Sequence, residues 1–167
     1  MATIFTLPSG LNRMPKRVPL PWNEEPVTSD FRFDIADDNA DVALNDNDAI
    51  EAMWLPKNCV LIPANCYLAS DELDEHATPT LLLNVGVSIG GTLDEDAIMV
   101  GFTTGATFQQ QVGPTNAGGA FHDIGYSASN RKIVITVDQD PATDSVTGTI
   151  YLSVAYRYMR QGDALTD

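Results

Sequence analysis

Apolar residues recur at every second position along much of this chain, and this alternation limits the fold more than any other feature. The longest example places Ile150, Leu152, Val154, Tyr156 and Tyr158 on one face of an extended segment. Successive side chains of a β-strand point to opposite faces, so a period of two predicts a strand with one face in a core. Shorter examples occur at 81–89, 133–137, 98–102, 60–62, 31–35 and 108–112.

The segments between these runs are rich in Gly, Pro, Asn and Asp, as in GGTLDED, GPTNAGG and DQDPATDS. Short strands separated by such turns indicate an antiparallel sandwich or barrel. A chain of 167 residues fits one domain with a core of its own. The sequence therefore predicts an all-β fold, an antiparallel, jelly-roll-like β-sandwich preceded by an extended amino-terminal arm.

One segment, 48–55, fits two kinds of structure. Asp48 and Glu51 have the spacing of a helix capping box, whereas the alternation of Ile50, Ala52 and Trp54 fits a strand. The proline at position 56 would end a helix after about two turns. We therefore expect a strand here.

The amino-terminal segment differs from the rest of the chain. It is interrupted by five prolines, which fix φ and remove backbone donors, so it cannot form a long helix. It also holds more apolar side chains than a solvated tail would leave in water, so we expect it to dock on its own body or on a neighbouring subunit. We divide the chain into an arm (1–30), a β-sandwich domain (31–160) and a carboxy-terminal tail (161–167). The prolines are Pro8, Pro15, Pro19, Pro21 and Pro26.

The charge is strongly negative and unevenly placed. The formal net charge is -14, which argues against direct nucleic-acid binding because a polyanion needs clustered Lys and Arg. Through Arg32 the chain carries four basic and three acidic residues, whereas from Phe33 to Asn130 the single cation Lys57 faces fifteen Asp and Glu. The arm and the body therefore differ in electrostatic character.

No catalytic or cofactor motif is present in the sequence. His76 and His122 lie outside HExxH and nucleophile motifs, and the spacing of Cys59 and Cys66 matches neither a redox pair nor a zinc half-site. We expect two loop histidines, two small buried cysteines, no cofactor and no enzymatic activity. No apolar run is long enough for a membrane span or a signal peptide, so we expect a soluble protein made in the cytoplasm.

The acidic clusters at 34–51 and 71–75 raise the possibility of a cation site, since calcium takes several oxygen ligands from a tight loop. Asp46 and Asp48 alternate, but Ile50 occupies the third ligand position and no glycine follows. Solvated loops are the favoured interpretation, with no metal bound. A calcium-dependent ligand-binding β-sandwich, using the loops around Asp46 or Asp71, is the alternative from a different functional class.

The order of features from 45 to 160 resembles that of head decoration, or capsid cement, proteins of tailed bacteriophages. An acidic loop leads into AIEAMWLPKNCVLIPANCYLAS, then PTLLLNVGVSIGG, DEDAIMVGFT and finally RKIVITVDQDPATDSVTGTIYLSVAYRYM. Leu55-Pro56 and Ile62-Pro63 match the short apolar-proline turns of that group, and Val85-Gly86 matches a strand end that precedes an Asp-rich turn.

This resemblance implies a virion structural protein that binds the outer surface of the major capsid protein lattice, often as a homotrimer, after synthesis in the host cytoplasm. Under this hypothesis the arm attaches the body to the capsid. Apolar grooves would receive three arm side chains, and capsid carboxylates would pair with three arm cations. A neck, tail or fibre-base component of the virion is the alternative. The arm residues are Phe5, Leu7 and Trp22, and Arg13, Lys16 and Arg17.

Overall fold

The fold is an all-β sandwich, seen in a computed structural model that describes residues 4–5, 26–35, 44–104, 109–112, 127–142 and 146–158. The strands are β1 (Ile4–Phe5), β2 (Val27–Asp34), β3 (Ala49–Leu55), β4 (Cys59–Leu61), β5 (Tyr67–Ser70), β6 (Leu82–Ile89), β7 (Thr92–Thr103), β8 (Gln109–Val112), β9 (Arg131–Gln139) and β10 (Thr149–Tyr158). A single 3-10 turn, Pro63–Asn65, separates β4 from β5. In the described part of the chain no helix is long and apolar enough to cross a membrane.

These strands form two sheets. The first has the order β1-β3-β9-β6-β7, and the second has the order β2-β10-β5-β8, with β4 also paired to β10. Apart from the parallel pair β1–β3, every ladder is antiparallel. The chain crosses from one sheet to the other repeatedly. Its first and last long strands, β2 and β10, lie side by side in the second sheet. The two sheets confirm the expected all-β sandwich.

The core lies between the sheets and is filled by the alternating residues that the sequence pattern singled out. Phe31, Phe33 and Ile35 are buried, and so are Ile150, Leu152, Val154 and Tyr156 of β10. From the other sheet, Leu83, Val85 and Val87 of β6 and Ile133, Ile135 and Val137 of β9 are at most 2% exposed. Burial of such a double layer of branched and aromatic side chains is the main stabilising term of the fold.

The ambiguous segment 48–55 forms the strand β3, as expected, and a β-bulge accounts for its mixed pattern. The register against β9 shifts between Glu51 and Met53. A bulge inserts one extra residue into a strand, so the inward face passes from Ile50 to Met53 and Leu55. Trp54, which simple alternation would bury beside Ile50, is instead 36% exposed.

The strand β4 has the opposite phase to the one that its sequence suggests. We expected Val60 and Ile62 to share the buried face, but both are half-buried, whereas Cys59 and Leu61 point into the core. This expectation was wrong because cysteine, which is among the most buried residue types, defines the inward face here.

Candidate interaction surface

The register of the ladders gives the sandwich two distinct ends. At one end Val27 pairs with Tyr156, Cys59 pairs with Tyr158, and Leu55 pairs with Arg131. We call this end, comprising Val27, 55–59, 127–132 and 157–158, the arm pole, because the chain enters β2 and leaves β10 there. The opposite end is formed by the loops 44–48, 71–81 and 138–142, and we call it the acidic pole.

The two poles carry opposite charge. The described residues include fourteen Asp and Glu against five Lys and Arg. Four of the five cations, Lys57, Arg131, Lys132 and Arg157, lie at the arm pole, which has no carboxylate in its own segments. The acidic pole has eight carboxylates and no Lys or Arg in its three loops. The body is therefore electrically polarised from end to end, although the whole chain is acidic.

The side of the arm pole along β3 combines an aromatic ring with a cation. Lys132 Nζ lies 4.8 Å from the centroid of the Trp54 ring and 2.5 Å from Glu51 Oε1. A cation over an indole face is attracted by the ring quadrupole. Trp54 and Tyr67 are the exposed large apolar side chains of the described residues. Exposed aromatic side chains such as that of Trp54 are enriched at protein interfaces.

The outer edge of β3 is incompletely paired. On that side β1 covers only Ala49 and Ile50, through the pairs Ile4–Ala49 and Phe5–Ile50. Among the described residues no ladder partner lies beside 51–55 on that side. Such an edge exposes backbone donors and acceptors that another strand can pair with. We call the outer side of Ala49–Leu55 the β3 edge.

The predicted arm residues fall mostly outside the part of the chain that the structure describes. Phe5 lies in β1, where its backbone is paired with Ile50. Leu7, Arg13, Lys16, Arg17 and Trp22 lie outside the described residues. Their proposed contacts therefore stay predictions. The pairing of β1 with β3 is a feature that the sequence did not indicate, since two residues show no periodicity.

A second surface feature, the wide bulge of β7, covers the outer face of β6. Val85 pairs with Met99 and Val87 pairs with Asp94, so the four residues 95–98 face the single residue Gly86. The bulge lies so close that a Cβ at Gly86 would come 2.2 Å from the Asp94 carbonyl oxygen. Glycine is therefore required at this position. The sequence pattern alone indicates only a strand end at Val85-Gly86 and not this close contact.

The β7 bulge also gathers like charges. Asp94, Glu95 and Asp96 follow one another along it. Partial burial raises the pKa of Asp96, and the adjacent Asp94 carboxyl raises it further. A neighbouring negative charge disfavours the ionised form of a carboxyl group. The bulge therefore adds negative charge to the side of the body and not to the arm pole.

The carboxylates considered as cation ligands serve the backbone of the acidic pole. Asp74 is fully buried and accepts hydrogen bonds from the backbone N–H groups of His76, Thr80, Leu81 and Ala142 at 2.8–3.3 Å. Burial alone would raise the pKa of Asp74, but these four donors outweigh it, so its pKa lies below the usual value. Asp74 thus holds the loop 74–81 and the segment after β9 together.

Two other acidic residues have similar roles. Asp48 is 2% exposed and accepts from the Asn45 N–H at 2.9 Å, and Asp71 accepts from the Thr149 N–H at 3.2 Å. Within the described ranges, no three His, Cys, Asp or Glu side chains form a group that could hold a metal. The sequence could not assign these roles, because an Asp that accepts backbone hydrogen bonds in a loop cannot be told from an Asp that binds a metal by residue type and spacing alone.

The groups that could act as nucleophiles or bases are placed for structural roles. Cys59 and Cys66 are free and buried, as expected, and burial raises the pKa of both thiols. Arg131 is also buried and donates a hydrogen bond to the Cys59 carbonyl oxygen at 2.7 Å, joining the two sheets at the arm pole. His76 is an exposed loop residue whose Nδ1 accepts from the Thr78 N–H at 3.1 Å. His122 lies outside the described residues.

Comparisons with known proteins agree on the fold. The chain is similar to a chain in the structure "Capsid of Ralstonia phage GP4", with a TM-score of 0.69 and 22% identity, covering 94% of this chain and 99% of that one. It is also similar to a chain in "Cyanophage Pam1 capsid asymmetric unit", with a TM-score of 0.60 and 20% identity, covering 90% and 99% of the two chains. No protein-family model and no curated protein matches the sequence.

Proposed function

We propose that this chain is a structural protein of a tailed-phage virion, which binds the outer surface of the capsid and stabilises the lattice of the major capsid protein. The observation that carries the proposal is the likeness to chains in two phage capsid structures. Both likenesses cover 99% of the other chain and at least 90% of this one, so each pair has nearly the same length and one fold. The likeness in fold therefore extends over at least 90% of this chain.

The polarity of the body supports a specific orientation. The arm pole carries Lys57, Lys132 and Arg157 and is the end from which both the arm and the tail leave the sandwich. Six of the eight carboxylates of the acidic pole are exposed or half-buried, and hydrated carboxylates are costly to bury in an interface. We therefore place the arm pole toward the lattice and the acidic pole toward solvent. Complementary charge at the arm pole would steer the approach of the protein to acidic patches on the capsid.

The arm supplies the remaining contacts in this proposal. Leu7 and Trp22 would enter apolar grooves of the capsid or of a neighbouring copy, and Arg13, Lys16 and Arg17 would pair with carboxylates. Phe5, whose backbone pairs with Ile50 near the acidic pole, would instead hold the arm tip on a β3 edge. The association of three copies at a local symmetry axis would multiply a moderate affinity per arm, since attachment of one copy raises the effective concentration of the others. No catalytic step is part of this role.

The first test removes the arm. A chain lacking residues 1–26 keeps all the long strands, so we expect it to fold but to lose capsid binding by at least about tenfold in Kd, or ~1.4 kcal/mol. Binding is measured by co-sedimentation with capsids prepared without this protein. Occupancy equal to that of the full chain would contradict the role of the arm.

The second test removes positive charge from the arm pole. Lys57→Gln with Arg157→Gln should weaken binding about tenfold and make its loss with salt shallower, because both side chains are exposed at that pole and their attraction to capsid carboxylates is screened by salt. The matched control, Ala77→Glu with Thr78→Glu, adds the same negative charge at exposed positions of the acidic pole and should leave binding unchanged. Equal effects of the two pairs would contradict the orientation.

Copy number separates the proposal from the alternative of a neck, tail or fibre-base component. A protein that decorates the lattice is present in hundreds of copies per particle, and a connector protein in about a dozen. Quantitative mass spectrometry of purified particles distinguishes these cases.

A further inference from the structure

We propose that the β3 edge is a strand-addition site for β1 of a second copy of this chain, so that neighbouring copies exchange the tips of their arms. The proposal goes beyond attachment to a capsid and does not depend on it. Its basis is the parallel pair formed by Ile4–Phe5 and Ala49–Ile50, together with the length of chain that follows β1.

The β1 pairing shows that the arm tip fits this edge. Two consecutive residue pairs, Ile4–Ala49 and Phe5–Ile50, continue the first sheet by one strand. Pro8 follows three residues after Phe5, and proline has no N–H to donate to a ladder, so the strand cannot extend far. A short ladder of this kind is weakly held and can be replaced by an identical one from another copy without any loss of contacts.

The connection between β1 and β2 is longer than an attachment to the same body requires. Phe5 lies beside Ile50, near the acidic pole, and Val27 lies at the arm pole. The direct path covers roughly 17 Å along β3 and about 10 Å between the sheets, which roughly eight extended residues would span. The chain provides the twenty-one residues 6–26, with a maximum reach of about 70 Å.

That reach exceeds the size of the body. A domain with the length of the body, residues 31–160, has a radius of gyration of about 14 Å, so it is roughly 35–40 Å across. The five prolines of 6–26 also favour extended backbone over a compact return. An arm with this length and composition can reach the β3 edge of an adjacent copy as readily as its own.

The other sheet edges are less suited to this role. The outer residues of β2, at the edge of the second sheet, include Thr28, Asp30 and Arg32, all exposed, and charged edge residues discourage strand addition. The β3 edge instead has a single charged residue, Glu51, and Glu51 is ion-paired with Lys132. The sequence of β1 matches this apolar edge, which favours a second copy of this chain over an unrelated segment.

The test uses the isolated protein and records which copy supplies the acceptor edge. Chain labelled with nitrogen-15, with Phe5 replaced by the photo-crosslinker benzoylphenylalanine, is unfolded and refolded with an equal amount of unlabelled wild-type chain. The mixture is irradiated in ~0.5 M NaCl, where the Debye length of about 4 Å reduces repulsion between the acidic bodies. Mass spectrometry then identifies cross-links from position 5 to peptides that contain Ile50.

Exchange predicts labelled–unlabelled products in the same amount as labelled–labelled ones. Products that are labelled on both sides alone would overturn the proposal, since they arise when each arm stays on its own body. An unlabelled acceptor lacking residues 1–5 offers β3 edges with no arm of its own to compete, so the mixed product should form in at least the same share as with the wild-type acceptor, and its loss would also overturn the proposal. Benzoylphenylalanine at Thr92, an exposed residue of the opposite edge strand β7, measures chance encounters.

Discussion

At the scale of single residues, the acidic side chains of this protein have two different roles. Of the fourteen in the described residues, twelve are exposed or half-buried, but Asp74 is buried and organises the acidic pole by accepting four backbone hydrogen bonds. Hydrogen bonds to an ionised acceptor are among the stronger ones in proteins. A carboxylate in a loop of an acidic protein can therefore be as important to folding as a core residue.

Asp74→Ala should lower the free energy of unfolding by at least about 3 kcal/mol, because buried N–H groups would lose their acceptor. In a chain of this size that corresponds to a fall in Tm of roughly 6–12 °C, measured by differential scanning calorimetry. Glu75→Ala changes the exposed neighbour and should stay within ~0.5 kcal/mol of wild type. Equal melting of the two variants would contradict the role of Asp74.

The same residue predicts a pH dependence of defined sign. The pKa of Asp74 in the folded protein is below its usual value of about 3.9 in an unfolded chain. Its contribution to stability is therefore complete above the unfolded pKa and is lost as the pH falls through the folded pKa. The difference in stability between wild type and Asp74→Ala should accordingly shrink below about pH 4.

At the scale of elements, regular strands followed from the sequence and bulged strands did not. The alternation in β6, β9 and β10 predicts their inward faces because β6 and β9 stay in register from Leu83 to Ile89, and β10 stays in register with β2 and β5, so the period of two is kept. In β3 the bulge after Glu51 changes the phase, so the sequence showed helical and strand spacing at once and could not place Trp54. Bulges depend on what the partner strand does, which local pattern does not record.

The site could be predicted only in part for a related reason. The contrast between a basic arm and an acidic body is visible in the sequence. The turn at Gly90-Gly91 is visible too, and the φ angles of these residues, 61° and 91°, suit a two-residue hairpin. The separation of charge between the poles is not visible, because Lys57, Arg131 and Arg157 come together only through the pairing of β3, β4, β9 and β10. The charged surface of the arm pole therefore depends on the pairing of strands that are distant in the sequence.

The β7 bulge predicts a specific sensitivity at Gly86. Gly86→Ala should destabilise the protein by about 1–3 kcal/mol, because the new Cβ would overlap the backbone of Asp94 and Glu95 and the bulge would have to move. Chemical denaturation measures this change. Ser88→Ala, two residues further along the same strand and half-buried, should be nearly neutral, and a similar cost for both substitutions would contradict the close packing of the bulge on Gly86.

At the scale of the whole molecule, a net charge of -14 on 167 residues produces self-repulsion that opposes folding. Raising NaCl from about 0.01 M to 0.15 M shortens the Debye length from about 30 Å to 8 Å. We expect Tm to rise by roughly 2–4 °C, which corresponds to ~1 kcal/mol for a chain of this size. Ala77→Glu with Thr78→Glu, which adds two charges to the acidic pole, should show a larger rise, and no difference between the two proteins would contradict the effect of the acidic pole.

The exposed turn 75–79 lies at the end of the sandwich opposite to Val27 and Tyr158, and Asp74 fixes its base. With the arm pole on the lattice, a peptide inserted at Ala77 would be displayed on the outermost surface of the particle, once for every copy bound. A fusion to the carboxy terminus would instead follow β10 at the arm pole, against the shell. The same polarity that orients the body would thus make this turn a position for presenting antigens or affinity tags.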